Sequence, residues 1–414
     1  MRVNAALLAH AEAALEELLR FSAPADQTLS RYFRTHRELG QQDRAFVAEA
    51  TFAVLRRRRS LEVAAGSAEP RALVAAAALR ALGLSARALE GLVDGALVQR
   101  VRAMRAESLP DAVRADLPDW LWERLVLEHD GETAMRIAQG LLNPAPLDLR
   151  VNLARVARGE VLERLSKDGI EAGATPHSPA GVRLKHKPAI NHHPLFADGL
   201  VEVQDEGSQL LGWLVGPRRG EMVADYCAGA GGKTLALAML MRGTGRIYAM
   251  DVSGKRLSAL APRAARAQVS NIHPLALAGE NDARAKRLAG KFDRVLVDAP
   301  CTGFGTLRRN PDLKWRHAPQ AVAELAAKQA RILGAAARLV KPGGRLIYAT
   351  CSILRDENEV IADGFQSAHA QFQPLDCKRL LAAHKVDIDT GARLRLWPHL
   401  HGTDGFFAAA FERT

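Results

Sequence analysis

Cysteine is scarce in this sequence, and the cysteines that occur are far apart. The chain has 414 residues and four cysteines. They form no CxxC pair and no Cys/His spacing typical of zinc ligands, which argues against a disulfide framework and a zinc site and suits a reducing compartment. We therefore expect no metal and a cytoplasmic location.

Long hydrophobic runs are also absent, and we expect no secretory leader. No apolar stretch of about 20 residues occurs, which is the length that spans a bilayer. The N-terminal stretch MRVNAALLAHAEAALEELLR is amphipathic and carries acids, whereas a signal peptide combines a cationic start with an apolar core. We expect no membrane partner.

The composition is that of a globular protein with a basic excess. Apolar residues make up 48% and charged residues 25% of the chain, and its length allows about two or three domains. Lys and Arg number 57 against 46 Asp and Glu, which gives a formal net charge of +11. Because neutralised phosphates release counterions, this charge favours a polyanionic partner, although many basic proteins bind no nucleic acid.

The pattern of apolar residues predicts three domains. Residues 1–140 carry apolar side chains three or four positions apart, as at Leu8, Ala11 and Leu15, which predicts an all-α domain. The prolines of residues 143–146 mark its end. Residues 141–204 are predicted to form a small α+β module. Its strands are expected at 147–151, 182–184 and 200–203, and its helix at 161–165.

Residues 205–414 repeat a strand, loop and helix rhythm. Apolar strands are predicted at 222–226, 246–250, 294–297 and 345–349, with a helix over 321–340. This alternation predicts an α/β, Rossmann-like domain in which helices cover both faces of a parallel sheet. Ligands bind such sheets at the carboxyl ends of the strands.

A glycine-rich loop, DYCAGAGGKT, follows the first of these strands at residues 225–234. A phosphate-binding P-loop would need glycine in place of Cys227, and a dinucleotide fingerprint would need glycine or alanine in place of Thr234. The shorter Gly-x-Gly turn is sufficient for S-adenosylmethionine, which has no pyrophosphate. A tight turn without a ligand is the alternative interpretation.

Acids follow the next two strands of the predicted sheet. Asp251, about twenty residues beyond the glycines, is placed to accept ribose hydroxyls of S-adenosylmethionine or NAD. A helix cap is an equally good interpretation of Asp251 taken alone. After the third strand, Asp282 is our choice for contacting adenine, although Asn281 or Glu280 could serve instead.

Two cysteines follow the last two of these strands, in DAPCTG at residues 298–303 and TCS at residues 350–352. A single cysteine is more often a small core residue, but two at equivalent strand ends indicate chemistry. A thiolate that adds to carbon 6 of cytosine makes carbon 5 nucleophilic towards a methyl sulfonium. Asp298 could stabilise the charge that develops at ring N3, and a second thiol or an activated water could assist the final elimination.

These motifs resemble the Sun-type RNA cytosine-5 methyltransferases, particularly the bacterial small-subunit ribosomal RNA branch. The resemblance runs from about Val201 to the C-terminus. It rests on residues 204–209, 227–233, 298–303, 308–315, 350–352 and 404–407. It implies a mostly parallel, seven-stranded class I methyltransferase sheet and a monomer that acts on RNA.

The resemblance also implies roles for individual residues. Cys351 would be the nucleophile, Cys301 would promote product release, and Lys233 would orient Asp298 or the base. The residues expected at the cofactor are Cys227, Ala228, Gly229, Ala230, Gly231, Gly232, Lys233, Asp251, Asp282 and Asp298.

The N-terminal domain resembles the helical NusB-like domain of the ribosomal branch, through residues 37–50. This likeness favours 16S ribosomal RNA over transfer RNA as the substrate. The sequence also permits a non-catalytic RNA-binding assembly factor or an NAD enzyme. Arg308, Arg309 and Lys314 could grip phosphates, and Trp315 could stack a splayed base or equally be a core anchor. The basic cluster of residues 56–59 could contact RNA or form a solvated helix face.

Overall fold

The computed structural model describes residues 3–414, which form two compact units. The first unit contains the chain up to Pro144 together with Thr306–Pro319, and the second contains Ala145–Gly305 and Gln320–Thr414. Within residues 3–414, no helix is long and apolar enough to cross a membrane.

The first unit is all-helical, as the sequence predicts. Its core contains Ala11 and Leu15, whose apolar spacing indicated a helix, together with Val47, Val54 and Leu73. Its helices are Ala5–Leu18, Ala25–Thr35, Gln41–Ala65, Pro70–Arg80, Gly95–Ala103, Asp111–Arg114, Asp119–Glu128, Gly131–Leu142 and Leu313–Arg316.

The segment Thr306–Pro319 is anchored in the first unit by buried polar contacts. The Lys314 side chain is 2% exposed, and its Nζ donates to the carbonyls of Arg56 at 2.7 Å and Asp116 at 2.6 Å. The indole Nε1 of Trp315 donates to the Leu55 carbonyl at 2.7 Å. The expectation that Lys314 grips RNA phosphates is therefore wrong, because its ammonium group is already bound inside the protein. Trp315 is a core anchor.

The basic cluster of residues 56–59 is also largely engaged within the first unit. Arg56 is buried, Arg58 pairs with Glu62 at 2.8 Å, and Arg59 pairs with Asp119 at 2.6 Å. These contacts favour a structural part for the cluster over an RNA contact.

The second unit begins with a small antiparallel sheet of four strands in the order β2-β3-β1-β4. Helices Arg158–Lys167 and Pro194–Ala197 accompany the sheet, whose core contains Leu149, Val161 and Leu165. The sequence indicated three of the strands and missed β2, because its Ala-Gly-Ala sequence has neither β-branched nor large apolar residues. The strands are β1 (Leu147–Val151), β2 (Ala172–Ala174), β3 (Gly181–Leu184) and β4 (Val201–Val203).

The large sheet follows, with five parallel strands in the order β9-β8-β5-β6-β7. Strand β12 adds antiparallel to β9, and both β10 and β11 pair with β12. Seven strands lie side by side in the sheet, as predicted. The short β11 is an eighth strand, which pairs with β12 outside this order. The strands are β5 (Met222–Asp225), β6 (Arg246–Asp251), β7 (Ile272–Ala276), β8 (Phe292–Asp298), β9 (Val340–Thr350), β10 (Phe372–Leu375), β11 (Leu394–Leu396) and β12 (Phe406–Arg413).

Strand β5 is the topological switch point of this sheet, since β6 and β8 flank it on opposite sides. Crevices outside the carboxyl ends of strands at such a point are where α/β sheets bind ligands. The associated helices are Glu206–Val215, Gly232–Leu240, Gly254–Ser258, Leu260–Ala267, Ala283–Lys286, Pro319–Ala337, Glu359–Ala368, Cys377–Ala382 and Pro398–His401.

Replacing Lys314 with methionine should destabilise the first unit, because two buried carbonyls lose their donor at a cost of about 1–3 kcal/mol. Burial lowers the pKa of Lys314 to about 7, below its unfolded value of about 10.4. Between these values the unfolded chain binds more protons, so the stabilisation from Lys314 rises with pH from 7 upwards and is smaller and constant below 7.

Urea unfolding at pH 7 and pH 9 measures this effect. The control is Arg136→Met, since Arg136 forms an exposed pair with Glu132 and should change stability by less than about 0.5 kcal/mol. A Lys314→Met protein as stable as wild type at pH 9 would contradict the assignment.

Candidate active site

The glycine loop between β5 and helix Gly232–Leu240 is held by its own backbone and by Asp251. The Asp251 carboxylate accepts from the Gly229 N–H and the Ser253 N–H, both at 2.7 Å. The Ala228 N–H donates to the Met250 carbonyl at the end of β6, and the Ala228 carbonyl accepts from the Gly231 N–H, both at 2.8 Å. The end of β6 therefore fixes the start of the glycine loop.

Gly231 leaves no room for a side chain at the centre of this loop. Its φ of +85° is unfavourable for other residues, and a Cβ would approach Leu260 Cδ1 to 2.2 Å. The backbone therefore stays bare where the helix begins. Gly231 thereby lets the loop pack closely against Leu260, and this packing fixes the backbone at the start of the helix.

Asp225 is a candidate site residue that the sequence reasoning did not select. It ends β5, its side chain is 1% exposed, and its Oδ2 accepts from the Thr234 hydroxyl at 2.7 Å. Within the described chain its Oδ1 has no hydrogen-bond partner. Burial raises the pKa of Asp225 to about 7. A buried carboxyl with an open acceptor beside a bare glycine loop fits the cationic amino-acid part of S-adenosylmethionine.

The loop after β7 carries all three candidates for the adenine contact. Asp282 accepts from the Ala278 and Arg284 N–H groups at 2.8 Å, and the hydrogen bond from the Arg284 side chain lowers its pKa. Glu280 and Asn281 line a cavity of 340 Å³ with Tyr226, and all three candidates line a second cavity of 520 Å³. All three candidates therefore lie in the loop after β7, where Asp282 caps the following helix.

The two thiols meet because β8 and β9 are parallel neighbours, with Asp298 opposite Ala349. Cys301 Sγ and Cys351 Sγ are 3.4 Å apart. The Gly305 N–H donates to the Cys351 carbonyl at 2.8 Å, which ties one cysteine loop to the other. The hydrogen bond with Cys351, together with burial, raises the pKa of Cys301 well above its usual value.

The other two cysteines lie elsewhere in the second unit. Cys377 is buried against the apolar core. Cys227 begins the glycine loop, where burial and, less strongly, the Asp298 charge raise the pKa of its thiol. Within residues 3–414, neither thiol forms a hydrogen bond to another sulfur, as Cys301 and Cys351 do.

Lys233 and Asp298 form an ion pair beside the thiols. Lys233 Nζ lies 2.7 Å from Asp298 Oδ2 and 5.6 Å from the centre of the Phe406 ring. Burial alone would lower the pKa of Lys233, but the charge and hydrogen bond of Asp298 raise it, and the Cys351 charge adds to the effect. The ammonium form of Lys233 is therefore stabilised at a site that contains a carboxylate and two sulfurs.

A parallel sheet with a glycine loop after β5, acids at the neighbouring strand ends and two adjacent thiols fits a class I S-adenosylmethionine-dependent methyltransferase. Residues 213–412 match the family described as 16S rRNA methyltransferase RsmB/F, and residues 117–191 match the RsmF/B-like ferredoxin-like domain. The chain belongs to the RsmB/F family. The resemblance inferred from the motifs is confirmed, and the protein is an S-adenosylmethionine-dependent RNA methyltransferase.

Individual relatives cover most or all of the chain. The probable ribosomal RNA small subunit methyltransferase B of Bacillus subtilis is 33% identical over 79% of this chain and 74% of that protein. A protein with the same description from Synechocystis sp. is 32% identical over 96% of this chain and 97% of its own length. The crystal structure of a methyltransferase homologue from Pyrococcus horikoshii matches 75% of this chain and 100% of its own, with 29% identity and a TM-score of 0.64.

Replacing Gly231 with alanine should weaken S-adenosylmethionine binding by about tenfold or more, because the clash with Leu260 displaces the loop. The matched control is Gly243→Ala. Gly243 also has a positive φ, but a Cβ there would meet nothing within 4 Å. It should therefore lose only about 1–2 kcal/mol of stability from backbone strain.

Calorimetric titration with S-adenosylmethionine compares the two variants, and thermal unfolding checks that each is folded. Equal affinities for both variants and wild type would show that the glycine loop does not hold the cofactor.

Proposed function

We propose that this protein methylates carbon 5 of a cytosine in 16S ribosomal RNA through a covalent adduct between a thiol and carbon 6. The observation that carries the proposal is the pair of sulfurs 3.4 Å apart beside the Lys233–Asp298 ion pair. One thiol alone could be a core residue, but two thiols and an ion pair at adjoining strand ends provide the groups that this reaction needs.

Cys351 is the proposed nucleophile. Its thiolate adds to carbon 6, and the electrons of the carbon 5–carbon 6 double bond move so that carbon 5 becomes nucleophilic. Lys233 lies close enough for the Cys351 charge to raise the pKa of Lys233, so an ammonium group lies near the attacking sulfur. S-adenosylmethionine supplies an electrophilic methyl group, which carbon 5 takes while the bond from that methyl to sulfur breaks.

Cys301 is the proposed release residue. After methyl transfer, the proton on carbon 5 must leave and the bond between Cys351 and carbon 6 must break. The raised pKa of Cys301 means that this thiol holds its proton during the attack. Once water has taken that proton, the Cys301 thiolate would accept the carbon 5 proton, while the carbon 5–carbon 6 double bond re-forms and Cys351 leaves as a thiolate. Its sulfur lies beside the Cys351 sulfur, where it can assist the elimination directly or through a water molecule.

Asp298 is the proposed partner of ring N3. Addition at carbon 6 makes N3 more basic. N3 would take a proton from water, and the Asp298 carboxylate would accept a hydrogen bond from the resulting N3–H and stabilise the adduct. Lys233 holds one oxygen of this carboxylate at 2.7 Å and so would fix its direction. Because Lys233 faces Asp298 and is influenced by Cys351, it would orient both groups.

The bare loop at Gly231 and the open acceptor of Asp225 support the cofactor site. We propose that the cofactor contacts residues 227–233, Asp251, Asp298 and a residue after β7, with Asp282 the first candidate. Asp225 is added to this set.

The domain roles follow the same proposal. The helical residues 1–140, which resemble a NusB-like domain, would bind RNA. Residues 141–204 form a small module, and residues 205–414 carry the reaction. The net charge of +11 supports a polyanionic partner, and the target cytosine must leave its stack to reach Cys351. We further propose a monomer in the cytoplasm that needs no metal.

Methyl transfer from radiolabelled S-adenosylmethionine to unmodified ribosomal and transfer RNA tests the reaction. Wild type should label cytosine carbon 5 of 16S ribosomal RNA. Cys351→Ala should lose the activity by a factor of at least about 10³, whereas Cys301→Ala should accumulate a covalent protein–RNA band on denaturing gels. The control Cys377→Ala alters a buried core thiol and should retain activity.

Each contrary outcome has a definite meaning. Activity in Cys351→Ala with none in Cys301→Ala would reverse the two thiol roles. Label in transfer RNA alone would replace the ribosomal substrate, and no label in any RNA would leave the non-catalytic RNA-binding factor as the better explanation.

A further inference from the structure

Glu357 is a buried carboxylate that the proposed reaction does not use. It ends the short turn Arg355–Glu357, which follows the Cys351 loop, and its side chain is fully buried. Its Oε1 accepts from the Thr302 N–H at 2.8 Å and from Gln329 Nε2 at 3.0 Å. Its Oε2 accepts from the hydroxyls of Thr302 and Ser352. Four donors therefore satisfy one carboxylate inside the second unit.

These contacts join the two segments that carry the thiols. Thr302 directly follows Cys301, and Ser352 directly follows Cys351. Both hydroxyls converge on the same oxygen of Glu357, so neither loop can shift without breaking a bond to a buried charge. A buried carboxylate is costly unless its hydrogen bonds are made, and hydrogen bonds to charged groups are stronger than neutral ones.

A second layer of hydrogen bonds fixes Glu357 itself. Gln329 Nε2 also donates to the Pro300 carbonyl at 3.0 Å, immediately before Cys301. The Tyr348 hydroxyl contacts Gln329 Oε1 at 3.2 Å and the Glu357 carbonyl. Helix Pro319–Ala337, strand β9 and the turn after Cys351 thus all contribute to one network.

We propose that Glu357 is a positioning residue that sets the separation and direction of the Cys301 and Cys351 thiols. Its catalytic consequence rests on the proposed function, because two thiols that act in succession on one base must keep a fixed geometry. Displacement of a reacting group by about 1 Å can reduce a rate about 100-fold. The thiol geometry itself can be measured without RNA.

Glu357→Gln is the test variant, because it keeps the size of the side chain but offers one acceptor oxygen in place of two. Glu359→Gln is the matched control. It carries the same substitution two residues away, at a carboxylate that pairs with Arg395. Glu359 therefore reaches the Cys351 loop indirectly, through the Arg395 donation to the Ile353 carbonyl at 3.4 Å.

Phenylarsine oxide, which binds two neighbouring thiols, reports the thiol geometry in the full-length protein, with Cys301→Ala as background. Glu357→Gln should weaken this binding and lower kcat for RNA methylation, each by about tenfold or more, with little change in S-adenosylmethionine affinity. Glu359→Gln should stay within about twofold of wild type in all three measurements.

Ser352→Ala and Thr302→Val keep the test decisive if Glu357→Gln does not fold. Each removes one hydroxyl from the carboxylate and should lower both arsenical affinity and kcat by a few-fold. In a folded protein that already carries Glu357→Gln, either hydroxyl substitution should have a smaller effect than it has alone. The reason is that Glu357→Gln has already weakened the hydrogen bond that the hydroxyl donates.

The results separate the inference from the proposed function. Wild-type arsenical affinity in folded Glu357→Gln, or equal losses in Glu357→Gln and Glu359→Gln, would overturn the positioning role. Arsenical binding that falls in Glu357→Gln while the wild type methylates no RNA would support the positioning role and refute the cytosine-5 reaction.

Discussion

The parallel pairing of β8 with β9 is the constraint on which the candidate site depends. It sets Asp298 opposite Ala349, so the segments that leave both strands begin at the same edge of the sheet. Cys301 and Cys351 are 50 residues apart in sequence, yet their sulfurs are 3.4 Å apart. A one-residue change of register would turn one of these segments to the other face of the sheet and separate the thiols.

The glycine loop depends on the same sheet through β5 and β6. Because β5 lies between β6 and β8, its carboxyl end faces Asp251 on one side and Asp298 on the other. Asp251 holds the loop through the Gly229 N–H, while Lys233, in the first turn of the following helix, reaches Asp298. The proposed cofactor loop and the thiol pair are therefore connected by one lysine side chain.

Sequence reasoning predicted the edge of the sheet well and its supporting contacts poorly. Glycines, acids and thiols after apolar strands are recognisable because their types are unusual at regular spacing. Lys314 was misjudged, since a basic residue next to an aromatic one has the same pattern whether it faces RNA or is buried against carbonyls. Glu357 was not noticed because its sequence neighbours, Arg-Asp-Glu-Asn-Glu, are those of an exposed loop. Only the fold shows which charges become buried, because their partners are distant in sequence.

The two buried carboxylates near this site, Glu357 and Asp225, differ in how completely they are hydrogen-bonded. Glu357 has four donors, so its carboxylate is satisfied and the loops around it are rigid. Asp225 accepts a hydrogen bond from Thr234 through one oxygen and has an open second oxygen. Burial raises its pKa to about 7, so its ionised form is unfavourable until a cationic group binds beside it. A carboxylate beside the thiols whose hydrogen bonds are all made suits chemistry that requires fixed atoms. A carboxylate beside the glycine loop with one unpaired oxygen suits a place where a charged ligand enters and leaves in every turnover, because the ligand supplies the missing interaction.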